Sequence, residues 1–433
     1  MQELLTFDQA PPVSAPFRFF LTAPVFSILA GLLLLRSGPD LFASRWTPEA
    51  VALTHLITVG FMMQAMFGAM MQVLPVVAGA NIARPLLVAT VVHTAITLGA
   101  LLLATAFLSH EAMAFGAAAG FLGFGVAVFV AMSAKALNGL STTNPTIRGV
   151  KLALVGLSVT VGFGLLLALS LGWSFALPLL QLTDIHLSWG LLTWGCVLLA
   201  AVGFVVVPMF QMTPAYSDWF SRYFSITALA LLTLWSIVDL AGFELLSTLL
   251  GGAIVLAAAL FATITLKIQH QSKRAKFDST QHYWRLAMLS TLAACLLWAA
   301  VRGIPALADW HGWPLLCGVL LLVGGFMSVI MGMLYKIFPF LIWMHLQNLG
   351  RGRLMAPNMK KVLAEAKMKR QMQVHFAAFA LLLLSVFWPQ WFVYPAGLAL
   401  IASSLLLLRN MLSAIGVYRQ HLAKIAALNS AGQ

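Results

Sequence analysis

His55 and His186 are the side chains in this sequence whose type and placement most readily do chemistry. Each falls a few residues inside a long apolar run, Ala50–Val77 for the first and Leu182–Pro208 for the second. An ionisable group at that depth in an apolar segment is expensive, so it is a site candidate by default. At a rise of 1.5 Å per residue both histidines lie within roughly 6–8 Å of the end of their run. His55 stands twenty residues before Pro75 and His186 twenty-two before Pro208, which gives them one depth. Two imidazoles so matched can face each other and hold a metal or a haem iron, because neutral imidazole ligates iron, copper and zinc. The alternative is a pair of interfacial histidines hydrogen-bonded to Thr54, Asp184 or water.

Other groups extend the list. Cys317 stands twenty-two residues before Pro339 in a third apolar run, where it either completes a site as a thiolate or packs as an inert apolar cysteine. His93 sits deep in a further run, as a second ligand or as a hydrogen-bonded core histidine. Met62, Met63, Met66, Met70 and Met71 crowd the run that carries His55. Thioethers suit Cu(I), and they also pack irregular interiors and line cofactor pockets. Gln64, Gln72 and Gln211 can join helices or touch a ligand, and Lys336 is expected to snorkel to the membrane boundary. His110, His311, His270, His282, His345, His375 and His421 are assigned to surface positions.

The elements that must position these groups follow from composition. The chain of 433 residues is 61% hydrophobic and 9% charged, and its mean hydropathy is +0.95. Lipid cannot satisfy backbone N–H and C=O groups, and the alternation of a barrel strand is absent, so the fold class is all-α. Runs of roughly 20 apolar residues predict transmembrane helices at Arg18–Leu35, Ala50–Val77, Pro85–Leu108, Ala112–Ser133, Gly149–Leu171 and Leu182–Pro208. The second half predicts Ser221–Leu240, Leu245–Ile268, His282–Val301, Trp313–Ile342, Met372–Phe387 and Val393–Ile415. The residues before the first run carry Glu3 and Asp8 and no small-residue cleavage site follows it, so the first helix is expected to stay attached. Cys196, Cys295 and Cys317 all fall in apolar runs, which argues against a disulfide framework.

Charge sets the orientation. Of the 25 Lys and Arg residues, all but Arg36, Arg45, Arg302 and Lys336 fall on one side of this topology. By the positive-inside rule that side is cytoplasmic, with both termini inside. The net charge of +13 then reads as topology and contact with an anionic lipid bilayer; no aromatic-basic groove supports nucleic acid as a partner. The basic segment from Gln347 to Gln371 is the longest loop and is expected to form a surface helix. No Walker motif, nucleophile constellation or chain of buried carboxylates is present, which excludes hydrolysis and conventional ion-coupled transport.

A repeat organises the helices. The second reads Gly60-x7-Gly68-x6-Pro75 and the tenth Gly324-x7-Gly332-x6-Pro339, with a looser version at Gly203–Pro208 in the sixth. Helices four apart imply three four-helix arcs in a pseudo-threefold arrangement within a single transmembrane domain over 1–433, with units near 17–140, 146–270 and 280–420.

The string His55-x4-Gly60-Phe61-x6-Gly68-x6-Pro75-x3-Gly79 resembles the second-helix signature of NnrS-type membrane proteins, a haem- and copper-containing family tied to nitric oxide response. Phe17-Arg18-Phe19-Phe20 resembles that family's N-terminal Phe-Arg-Pro-Phe-Phe without its proline. More distantly, twelve helices with His55 on the second, followed by Pro75-Val76-Val77-Ala78-Gly79, resemble subunit I of the haem-copper oxidases. The resemblance implies His55 as an axial haem ligand, haem b and copper as cofactors, and a respiratory or electron-transfer partner. It implies a bacterial inner (cytoplasmic) membrane location. The oxidase copper cluster is missing: the sixth helix offers His186 alone and the seventh no histidine, so conventional oxygen reduction is not expected. A degenerate nitric oxide reductase-like enzyme and a copper or haem transporter or assembly factor are the alternatives.

Overall fold

The computed structural model describes residues 11–350 and 354–431; Glu3, Asp8, Arg351 and Arg353 lie outside them. Among the described residues there is no strand, and twelve helices are long and apolar enough to cross a membrane. The protein is an all-α, multi-pass membrane protein. We number the spans α1 Ser14–Ser37, α2 Pro48–Ala78, α3 Pro85–Ser109, α4 Ala112–Ala136, α5 Pro145–Trp173 and α6 Leu179–Gln211. The second half has α7 Asp218–Leu240, α8 Glu244–His270, α9 Ser279–Gly303, α10 Trp313–Gly350, α11 Glu365–Phe387 and α12 Pro389–Ala431.

Local chemistry fixes where several of these begin. Proline opens α2, α3 and α5, where its missing N–H costs nothing. The Thr47 and Asn144 side chains cap α2 and α5 by accepting from exposed backbone N–H groups. Asp278 does most. Its Oδ1 accepts from the Gln281 N–H while the Gln281 side chain reaches back, a capping box for α9. Its Oδ2 also takes Arg274 at 2.8 Å and Lys336 at 2.6 Å. Lys336 is therefore ion-paired at the basic face, a stronger tether than snorkelling alone. Asp278→Ala removes the cap and both ion pairs, leaving Arg274 its bond to the Phe210 carbonyl, and is expected to cost about 2 kcal/mol. Thermal unfolding in detergent checks this; an unchanged midpoint would contradict it.

Three expectations need correction toward the basic face. The segment Gln347–Gln371 is not one long loop with a surface helix. The α10 helix runs on to Gly350, α11 starts at Glu365, and the described residues between them hold a single helical turn, Met359–Val362. Lys367, Lys369 and Arg370 sit on the first turns of α11, where their charge hid the helix in the hydropathy. Likewise α12 continues well past Ile415, its extension tied to α10 by Tyr418 Oη and His345 Nδ1 at 2.8 Å. His375 is also not at the surface. It is fully buried, with Nε2 2.9 Å from Ser328 Oγ, beside a polar chain in which Tyr283 donates to Gln371 and Gln371 donates to Ser403.

The helices pack as a ring in which α4 meets α5, α8 meets α9 and α12 meets α1. α2, α6 and α10 surround the centre, where an inner cavity of about 150 Å³ is lined almost entirely by these three helices. All three contain a π-helical stretch at the same height: Leu56–Met63, Trp189–Val197 and Val319–Met327. Such stretches are rare and concentrate at functional sites.

Helix contacts repeat in register with the prolines. A Cβ on Gly68 would meet Phe20 of α1 at 2.7 Å, and one on Gly332 would meet Tyr283 of α9 at 2.8 Å. In the middle arc the sense is inverted: Gly149 and Gly156 of α5 make room for Ala201 and Thr193 of α6. Ala201 and Thr193 stand seven and fifteen residues before Pro208, as Gly68 and Gly60 stand before Pro75 and Gly332 and Gly324 before Pro339. The Gly203–Pro208 pattern is thus not the equivalent one in α6. Thr146 of α5 donates to the Ala201 carbonyl and Thr280 of α9 to the Gly332 carbonyl, both at 3.0 Å. The same interhelical bond is made twice.

Candidate cofactor-binding site

His55 and His186 are each the eighth residue of their helix. Because α2 and α6 start earlier than hydropathy alone predicts, both lie about 10 Å below the helix start, deeper than the sequence reading placed them. Each is followed within three residues by the π-helical stretch of its helix. The two rings come together, with centroids 6.3 Å apart and planes inclined by 18°. His55 also packs against Phe107 at 5.1 Å. His186 rests on Gly164 of α5, where a Cβ would come within 2.9 Å of Cε1.

Backbone carbonyls hold both rings through Nδ1, and the Thr54 and Asp184 side chains are engaged elsewhere. His55 Nδ1 lies 2.8 Å from the Val51 carbonyl and His186 Nδ1 2.9 Å from the Thr160 carbonyl. A carbonyl only accepts, so Nδ1 is the donor in each ring and the neutral imidazole keeps its lone pair on Nε2. This is how a metal-ligating histidine is oriented by its outer-shell partner. Asp184, two residues before His186, instead pairs with Arg45 at 3.2 Å and ties the segment ahead of α2 to α6. Thr54 donates to the Ala50 carbonyl.

Both histidines line an outer cavity of about 1110 Å³, at the large end of small-molecule sites. Met62 and Met63 line it too, whereas Met66, Met70 and Gln72 line the inner cavity. Phe326, Val329 and Leu199 border both spaces and stand between them. Cys317 lies on the outer cavity, and so do Cys196 and Cys295, whose place the sequence did not reveal. His93 stands apart: its Nε2 is 2.8 Å from Thr22 Oγ1 and its ring meets Phe19 edge-on at 5.3 Å. Gln64 bonds Thr97 and Gln211 bonds Gln269, joining helices as expected.

No protein-family model and no curated protein matches this chain. The chemistry must be argued from the site itself. Among the described residues, no three His, Cys, Asp or Glu side chains gather to hold a metal ion. A bare ion of the zinc type takes three or four protein donors; on this cavity His55 and His186 come together, while His110 and the three cysteines line it without gathering into such a set. The remaining donors would have to arrive with the ligand. Two imidazole nitrogens on opposite sides of one metal at about 2.0–2.1 Å put ring centroids about 6 Å apart; the His55 and His186 centroids are 6.3 Å apart. The residues present therefore fit a cofactor that carries its own equatorial ligands and a large apolar body.

Proposed function

We propose that this chain is a haem-binding membrane protein in which His55 and His186 are the axial ligands, acting in nitric oxide or respiratory-stress physiology. The observation that carries the reading is the imidazole pair: two rings at one depth, each fixed through Nδ1 to a backbone carbonyl, on one large apolar cavity. The resemblance of the His55 helix to NnrS-type proteins supplies the nitric oxide context and haem b as the type. The Lys and Arg distribution supports a bacterial inner membrane location with the basic face and both termini in the cytoplasm.

The protein's own contribution is positioning. The Val51 and Thr160 carbonyls set the tautomer, Gly164 seats the His186 ring, and Phe107 packs on His55. The apolar lining excludes water from the ligand's body. Haem iron, when bound, supplies one-electron chemistry and affinity for diatomic gases, tuned by these axial ligands and by burial. A respiratory or electron-transfer partner would exchange those electrons. His55 and His186 would both hold the group from the protein side, which fits electron transfer or sensing better than a degenerate reductase reaction.

A second reading is transport or assembly of copper or haem. One observation favours it: Met62 and Met63 on the outer cavity, followed by Met66, Met70, Met209 and Met333 around the inner one, form a thioether-lined succession along the bundle axis. Purified full-length protein separates the two. The first predicts about one haem iron per chain, a Soret band and a pyridine haemochrome of the b type. Bound copper without a Soret band would favour the second.

A further inference from the structure

The inner cavity lies outside the histidine site. Its lining falls within residues 65–77 of α2, 198–210 of α6 and 329–341 of α10, joined by Phe20, Gly195 and Phe326. Each of the three stretches covers about 18 Å of helix rise and carries its proline, Pro75, Pro208 or Pro339, two residues before its end. The space therefore follows the bundle axis from the π-helical level toward the basic face. Gly195 and Phe326 both stand thirteen residues before their proline, and the glycine makes room for the ring: a Cβ there would lie 2.7 Å from the Phe326 Cζ.

The chemistry of this lining restricts what can occupy it. Among the described residues Gln72 is the only polar side chain on the cavity, and no charged group, histidine or cysteine borders it. An ion would meet no counter-charge there. Gln72 is buried and its Nε2 has no hydrogen-bond partner. A buried water takes two to four polar partners, so a single amide leaves the space dry. Size restricts it further, because an apolar cavity of about 150 Å³ is one that takes up a guest such as xenon or benzene. Toward the basic face the Phe210 and Phe340 rings meet edge-on at 6.3 Å, and Phe326 stands at the opposite level. Rings at both levels admit a guest of a few atoms more readily than a lipid tail or a planar cofactor.

We propose that the inner cavity binds an apolar gas, held by dispersion against its aliphatic and methionine lining, with the Gln72 amide offered to a gas that carries an acceptor atom. Met66, Met70, Met209 and Met333 give the space a polarisable wall. Apolar gases leave water for apolar surroundings spontaneously, and the bundle sits in the layer where they concentrate. The site follows from the cavity alone; taking nitric oxide as its natural gas rests on the haem reading.

Xenon tests the site without any haem chemistry. Crystals of the full-length protein pressurised with xenon are expected to show anomalous density between α2, α6 and α10. Ala69→Phe fills the space from α2 and Val202→Phe from α6, two separate walls, and whichever variant folds should lose that peak. Nitrous oxide, which has an acceptor atom, should add a narrow infrared stretch distinct from the one it shows in detergent. Gln72→Leu should shift this band and leave the xenon density in place. Ordered water where xenon was expected, or xenon density that persists in the filled variants, would overturn the site. So would silver(I) bound at the thioethers to the exclusion of xenon, which would assign the space to a soft metal. A nitrous oxide band indifferent to Gln72→Leu would overturn the role of the amide. Xenon density in protein that purifies without a Soret band would uphold the gas site and count against the haem reading alone.

Discussion

His55→Ala is expected to purify as a folded protein stripped of its Soret absorbance. Removing an axial ligand weakens haem binding at least about 100-fold, the upper end of what the loss of an outer-shell partner costs. His186→Ala should act in the same way, because the two rings face one site at 6.3 Å. Whatever haem either variant retains should be high-spin, with one axial position open. His93→Ala is the control. Its imidazole is engaged with Thr22 and Phe19 away from the cavity, so its spectrum should match the parent. Full haem content in His55→Ala, or a loss in His93→Ala as large as in the other two, would mean that the ligands lie elsewhere.

The second large effect concerns the scaffold. Gly156→Ser places a side chain where Thr193 already stands, and forcing that overlap should destabilise the bundle by about 1–3 kcal/mol. The double variant Gly156→Ser, Thr193→Gly should recover most of it. It would reproduce the third arc, where Ser290 of α9 lies within 2.5 Å of a Cβ built on Gly324 of α10. Thermal unfolding of the parent, both single variants and the double one gives the coupling directly. Additive losses would show that the arcs are not interchangeable at this contact. Thr193 also lies in the π-helical stretch just after His186, so the single variant should lower haem content as well.

Much of this was legible in the sequence, for physical reasons. Lipid forces the backbone into helices, so twelve apolar runs gave twelve spans. Prolines and imidazoles at matched spacing in α2 and α6 brought His55 and His186 to one depth. The π-helical stretches were not legible, because a shift from one carbonyl partner to the next leaves hydropathy unchanged. The true register of the middle arc was hidden because its space-making glycines, Gly149 and Gly156, lie on α5 and not on α6. His375 was misplaced because Lys367, Lys369 and Arg370 hid the start of α11. The convergence of Cys196, Cys295 and Cys317 on one cavity is a tertiary fact that no local pattern encodes.

The central claim is that one iron sits between two imidazoles. Electron paramagnetic resonance of the oxidised, purified protein, with near-infrared magnetic circular dichroism on the same sample, reads the axial ligands directly. The account predicts a low-spin ferric signal with a bis-imidazole charge-transfer band, converted to high-spin by His186→Ala. A high-spin signal in the parent protein, or a low-spin signal that survives the loss of His186, would contradict it.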